Sequence, residues 1–107
     1  MSTFEKLLQE AEKRTNERNR LSDEMLRARQ EKRSEAEKAA TYDAYIGYNS
    51  QAYSPAEGGK VVCEATLCSR FSRGGFRDFY QFRFYFLPDG ADSRKQFSRA
   101  KAIKALS

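Results

Sequence analysis

The sequence contains no histidine and no tryptophan, and only two cysteines and two prolines among 107 residues. Without histidine, the commonest general base, metal ligand and triad member is missing. Two cysteines alone do not complete a four-ligand zinc site. Only six carboxylates follow residue 40: Asp43, Glu57, Glu64, Asp78, Asp89 and Asp92. Their pattern places no pair at a separation suited to acid/base work. Gly58-Gly59 lacks the Lys-Ser/Thr that would follow in a phosphate loop, and Gly74-Gly75 has turn spacing only. The expectation is a protein that is not an enzyme and uses no cofactor or metal.

Long apolar runs are missing too. No stretch approaches the roughly 20 apolar residues of a membrane span, and the N-terminus shows neither a basic n-region nor an apolar h-region. A cytoplasmic, reducing location is expected, with no membrane partner. Cys63 and Cys68 are five positions apart. On one strand they point to opposite faces and cannot bridge, so they are read as buried free thiols.

A third deficit is local. Residues 1–40 hold no Val, Ile, Tyr, Gly or Pro, whereas all six Tyr, seven of the eight Phe and both Cys follow residue 40. The core must be built in the second part, and roughly 65 residues bury only a marginal one. A long helix packed on it, or a second copy of the chain, is the natural supplement, and a homodimer is expected on that ground. Two units result, a helical arm over residues 1–40 and a small antiparallel sheet domain with a C-terminal helix over residues 41–107.

The arm opens with Ser2-Thr3-Phe4-Glu5, a capping-box spacing ahead of strong helix formers. Opposite charges four apart, such as Glu10 with Arg14 and Asp23 with Arg27, support a helix of about 35 residues. It is either continuous or broken near residues 15–20. Its apolar positions form a partial heptad through Phe4, Leu7, Ala11, Leu21, Met25, Ala28 and Ala39, with Leu8 and Leu26 alongside. Arg14, Arg18, Lys32 and Glu35 interrupt the seam, so a sustained coiled coil is not supported. Two short patches remain as a candidate protein interface, Phe4, Leu7 and Leu8 in one and Leu21, Met25 and Leu26 in the other.

After residue 40 the apolar period changes to two. Tyr42, Ala44, Ile46 and Tyr48 predict a first strand, and residues 49–59 a loop. Val61, Cys63, Ala65 and Leu67 predict one face of a second strand, followed by a turn at Ser72-Arg73-Gly74-Gly75. In the third strand Tyr80, Phe82, Phe84 and Phe86 point one way and Phe79, Gln81, Arg83 and Tyr85 the other. Beyond Pro88-Asp89-Gly90, residues 93–97 return as a short edge strand and Ser98 caps a last helix, unless that helix begins already near Asp92. The fold class is α+β: a long N-terminal helix, an antiparallel meander of three or four strands and a short C-terminal helix.

Charge points to the partner. Residues 1–40 carry ten Lys or Arg against nine Asp or Glu, whereas residues 41–107 carry ten against six, within a net charge of +5. Such an excess favours an anionic target. In RFSRGGFRDFYQFR, Arg70, Arg73, Arg77 and Arg83 alternate with Phe71, Phe76, Phe79 and Tyr80. Arginine makes bidentate phosphate contacts, and an exposed ring offers a stacking surface to a base. The C-terminal SRKQFSRAKAIKAL adds Arg94, Lys95, Arg99 and Lys101. Over those fourteen residues the chain is similar to the end of the double-stranded RNA-binding domain, in which a basic helix closes a three-stranded sheet. It departs in lacking the glycine-rich approach, in a longer third strand, and in Ser98 where the family's clamp ends in Lys.

The expected function is non-catalytic binding of nucleic acid or a nucleoprotein complex with an acidic surface. Its contacts would come from Arg70, Arg73, Phe76, Arg77, Phe79 and Arg83, with Arg94, Lys95, Arg99 and Lys101. The alternative is a small inhibitor or adaptor, of the type phage and mobile elements encode, that engages a host protein machine through the N-terminal helix.

Overall fold

A computed structural model of the chain describes residues 2–107. Helix α1 (Thr3–Gln30) is followed by α2 (Glu35–Ile46), strands β1 (Ala52–Ala56), β2 (Gly59–Ser72), β3 (Gly75–Pro88) and β4 (Lys95–Phe97), and helix α3 (Arg99–Leu106). The strands form one antiparallel meander in the order β1-β2-β3-β4.

Ser2 caps α1, its hydroxyl accepting from the Glu5 N–H at 3.1 Å. The helix runs unbroken through residues 15–20, and it ends at Gln30 rather than continuing towards residue 40. Lys32 adopts a left-handed conformation (φ 50°) and the Arg33 N–H reaches back to the Ala28 carbonyl at 3.1 Å, closing the last turn. Arg33 holds the bend by pairing with Glu24 at 2.6 Å and Glu31 at 2.8 Å.

The strand expected at Tyr42–Tyr48 is instead the end of α2, up to Ile46, and the turn that follows it. The half-buried residues of α2 are Lys38, Thr41 and Tyr45, a helical stripe that the half-buried Tyr48 extends just beyond the Gly47 cap, while Tyr42, Ala44 and Ile46 are exposed. Ser34 caps this helix, accepting from the Glu37 N–H at 3.2 Å. The first strand lies within the expected loop: Ala52–Ala56 pairs with Gly59–Cys63 through a Glu57-Gly58 turn, with Gly58 at φ 79°. The remaining elements stand as the alternation indicates, including the short β4 and the cap at Ser98, whose hydroxyl accepts from the Lys101 N–H at 3.2 Å.

The core lies between one face of the sheet and two helices. Phe4, Leu7 and Ala11 of α1 and Ala102 of α3 meet Ala52, Val61, Cys63 and Phe84, with Phe82, Phe86 and Phe97 packed around them. Phe4 lies against Phe84 with ring centroids 5.4 Å apart. Thr15 closes the same helical stripe, its hydroxyl donating to the Ala65 carbonyl at 2.7 Å. Beyond Thr15 the helix leaves the sheet. The radius of gyration is 17.0 Å, well above the about 13 Å of a compact domain of this length.

Replacing Phe4 with Ala removes a ring from this core and is expected to cost about 3–5 kcal/mol in urea denaturation. Leu26→Ala, at a residue 47% exposed, is expected to stay within about 0.5 kcal/mol of the parent. Equal losses at both sites would contradict the division of α1 into a half packed on the sheet and a half that meets only α2, where Ala28 is buried.

Candidate functional site

The two central strands are 14 residues each, yet β1 pairs only with Gly59–Cys63 and β4 only with Phe84–Phe86. The α1 side chains reach up to Ala65 and Tyr80, where the Tyr80 hydroxyl bonds Asn16 Oδ1. Past that level β2 and β3 project as a two-stranded ribbon closed by Arg73-Gly74, with Gly75 at φ 104°.

Register assigns each ribbon residue to a face. On the face continuous with the core, Phe71 pairs with Phe76, Ser69 with Asp78 and Leu67 with Tyr80. The two phenylalanine rings lie 5.3 Å apart at 67°, and each residue is 74% exposed. Asp78 is engaged, accepting from the Ser69 hydroxyl at 2.7 Å. On the opposite face, which carries no helix among the described residues, Arg70 lies directly across from Arg77 and Cys68 from Phe79, itself 39% exposed.

The helix-free face continues down the sheet with Thr66 and Gln81, then Glu64 and Arg83, then Val62 between Tyr53 and Tyr85, then Lys60. Arg94 lies on it too, its guanidinium 3.8 Å from the centre of the Tyr85 ring and 2.7 Å from Glu64 Oε1. Gln51 Nε2 donates to the same oxygen at 2.6 Å. This face therefore holds Lys60, Arg70, Arg77, Arg83 and Arg94 against one carboxylate, Glu64, which is already bridged. Among the described residues, Arg70, Arg73, Arg77, Arg83 and Lys60 form no ion pair.

The residues expected to act together fall into three places. Arg70, Arg73, Phe76, Arg77 and Phe79 gather at the ribbon tip. Arg83 and Arg94 lie on the same outer face at the base of the sheet, Arg83 six residues or roughly 20 Å beyond Arg77. Arg99 and Lys101 are on α3, across the sheet, where Arg99 stands 5.1 Å over the Phe4 ring and Lys101 6.0 Å over Phe97. Lys95 is exposed on β4 and its register opposite Phe86 puts it on that same helix-bearing side of the sheet.

Of the expected helix patches, Phe4 and Leu7 are buried in the chain's own core and Leu8 packs against it, so that patch is occupied internally. Leu21 and Met25 are half-buried, and Leu26 is exposed. The residues not anticipated as part of the site are Phe71, Lys60, Tyr85 and the Glu64 bridge. Phe71 has the parity of the core positions Val61 to Leu67, which conceals that the sheet has lost its cover at that height.

A shallow hollow of about 350 Å³ between the start of α1 and α3 is lined by Phe4, Leu8, Arg99, Ile103 and Leu106. Among the described residues, no helix is long and apolar enough to cross a membrane and no group of three or more metal-ligating side chains occurs. Comparisons with protein families, curated proteins and solved structures find no match.

Both cysteines are free. Cys63 is buried, but Cys68 is only half-buried, contrary to the expectation of two buried thiols. Burial pushes the Cys63 thiol up to about 12 from its ordinary 9.0, with Glu64 adding to the shift and Arg99 opposing it. The stabilisation from keeping this thiol neutral is complete below about pH 9 and is lost as pH rises towards 12. A thiol reagent at pH 7.5 is expected to label Cys68 rapidly and Cys63 only after denaturant is added. Cys63→Ala is expected to cost about 1 kcal/mol and leave partner binding unchanged. Equal labelling rates in the native protein would contradict the burial.

Proposed function

We propose that the protein is a non-catalytic binder of nucleic acid, alone or within a nucleoprotein complex, and that the ribbon tip and the helix-free sheet face are its contact surface. The observation that carries this reading is the segregation of charge by face. Five cations share the outer face with a single bridged carboxylate, and Arg73 adds a sixth at the turn. Directly opposed like charges destabilise a strand pair, so the Arg70–Arg77 pair is unfavourable in the isolated chain and is relieved when an anion lies between or beside the two guanidinium groups. Phosphate suits this arrangement because the arginine fork matches its oxygens in geometry and charge. The exposed rings of Phe71, Phe76 and Phe79 are apolar surfaces next to these cations, as base contact requires.

In this reading Arg83 and Arg94 extend the phosphate track from the tip to the base of the sheet. Arg94 is held by the Tyr85 ring and Glu64, so its position is fixed before any ligand arrives. Arg99 and Lys101, across the sheet, contribute to the overall field and not to the same track.

A second reading is a protein partner, as for a small inhibitor or adaptor. It is favoured by α2, which has no buried residue and exposes Tyr42 and Ile46 at 44% and 57%. The interface would then be the outer side of α2 rather than the first patch of α1.

Titration of bare single- and double-stranded DNA and RNA at several salt concentrations separates the two. The nucleic-acid reading requires affinity to fall steeply with salt. Replacing Arg70, Arg73 and Arg77 together with Glu touches no core position, so the fold is expected to survive. Binding is expected to weaken by about 1–3 kcal/mol per direct contact. A folded triple variant that binds as tightly as the parent, or a parent that binds no nucleic acid at any salt, would refute this reading and favour the α2 surface.

A further inference from the structure

The ribbon tip combines three features that the binding of phosphates alone does not explain. The first is its isolation. Between Leu67 and Tyr80, among the described residues, no third strand and no helix covers either face or either edge of β2 and β3. Five residues of each strand, Cys68–Ser72 and Gly75–Phe79, thus project by roughly 17 Å. A free two-stranded hairpin is marginal in water, and this one also carries the opposed Arg70–Arg77 pair. A ribbon built this way gains by entering something.

The second feature is the placement of the rings. Phe71 and Phe76 are at the very end of the projection, on the face opposite Arg70 and Arg77, and are both 74% exposed. Their planes meet at 67°. Successive bases of a single strand stack on rings that lie side by side and parallel. An edge-to-face pair offers instead a compact apolar ridge.

The third feature is the surrounding charge. Arg73 stands in the turn beside the ridge, Arg70 and Arg77 are next to Phe71 and Phe76 in sequence on the reverse face of the ribbon, and the one nearby carboxylate, Asp78, is bonded to Ser69. A ridge of this kind entering an uncharged protein pocket would bring three cations with it uncompensated. Between two phosphate walls they are matched.

We propose that the ribbon enters a groove of duplex DNA and that Phe71 and Phe76 insert as a wedge between adjacent base pairs, kinking the duplex, while Arg70, Arg73 and Arg77 hold the flanking phosphates. This inference rests on the nucleic-acid reading above and specifies its target. The width agrees with the major groove of B-form DNA, which admits a two-stranded ribbon, whereas the major groove of duplex RNA is too narrow for side chains to read. Apolar side chains inserted at a base step unstack it and bend the helix axis. The unstacking is offset by removing two phenyl rings from water and by the phosphate contacts that the bend brings within reach of Arg83 and Arg94.

The test uses the full chain and a DNA duplex of 20 to 30 base pairs, roughly the span over which a bend of this size is resolved, labelled at both ends for energy transfer. Saturating wild-type protein is expected to shorten the end-to-end distance by a kink of about 20–90°. Phe71→Ala with Phe76→Ala is expected to weaken binding roughly tenfold, keep the salt dependence and leave the duplex straight. The chain has no tryptophan, so Phe76→Trp supplies a single reporter that does not depend on the double variant folding well. Its indole emission is expected to be quenched on duplex DNA and shielded from acrylamide. A duplex that stays straight under wild-type protein, an indole emission that remains fully accessible to acrylamide in the complex, or tighter binding to single strands or duplex RNA would overturn the wedge while leaving the nucleic-acid reading in place. Absence of binding to every nucleic acid would remove both.

Discussion

The mismatch in strand length governs this molecule. Fourteen residues of β2 lie against fourteen of β3, but β1 supplies five and β4 three, so cover exists only near one end of the sheet. There the packed half of α1 and all of α3 close over Val61, Cys63 and Phe84. At the other end the same two strands carry the same alternation of residues with nothing to pack it against. A ring buried at Phe84 and a ring exposed at Phe76 share parity on one strand, and their environments differ because the helix departs after Thr15. Core and candidate site are thus two ends of a single hairpin.

Charge is distributed on the same plan. Three of the six acids of α1 pair locally: Glu10 with Arg14, Glu17 with Arg20 and Glu24 with Arg33. The Arg20 and Arg33 guanidinium groups hold the Glu17 and Glu24 carboxyls below their ordinary range, chiefly by hydrogen bonding. Exposed pairs of this kind contribute little to stability. Their effect is on the field, since a helix with nearly balanced charge leaves the positive excess to the sheet's outer face and to the α3 side. The basic character of the chain is therefore divided between this face with its turn and the α3 side, where Lys95, Arg99, Lys101 and Lys104 lie.

Much of this was legible in the sequence wherever a pattern ran long enough to exclude its rivals. The alternation from Phe79 to Phe86 has one reading, and Gly74-Gly75 with the polar tip fixes where the chain reverses. Ser98 ahead of a helix-forming run located α3 correctly. The failures fall where two periods compete over a short span. Tyr42, Ala44, Ile46 and Tyr48 fit a period of two, but Lys38, Thr41, Tyr45 and Tyr48 fit a helix equally well, and packing on α1 decided it. The cap at Ser34, with Glu37 three residues on, was the available signal for a helix start. The end of α1 had no comparable sign, because Lys32 occupies a left-handed position that glycine usually marks. For the site, the basic residues and Phe76 and Phe79 were visible as a cluster. That Arg99 and Lys101 lie across the sheet from them, and that Phe71 joins them, depends on how far β1 and β4 extend, which residue patterns do not encode.

The uncovered ribbon also bears on how the chain behaves in its own company. Its two free edges present unpaired backbone groups beside exposed phenylalanines, the arrangement from which strands of separate molecules add to one another. Arg70 and Arg77 stand at the middle of those edges as gatekeepers: a second ribbon laid alongside would bring four guanidinium groups together. That protection is electrostatic, and its range contracts from about 10 Å at 0.1 M salt to about 3 Å at 1 M. The colloidal stability of the protein therefore depends on ionic strength through the same arginines that face its proposed ligand, with dilute electrolyte, and not concentrated salt, as the condition that keeps copies apart.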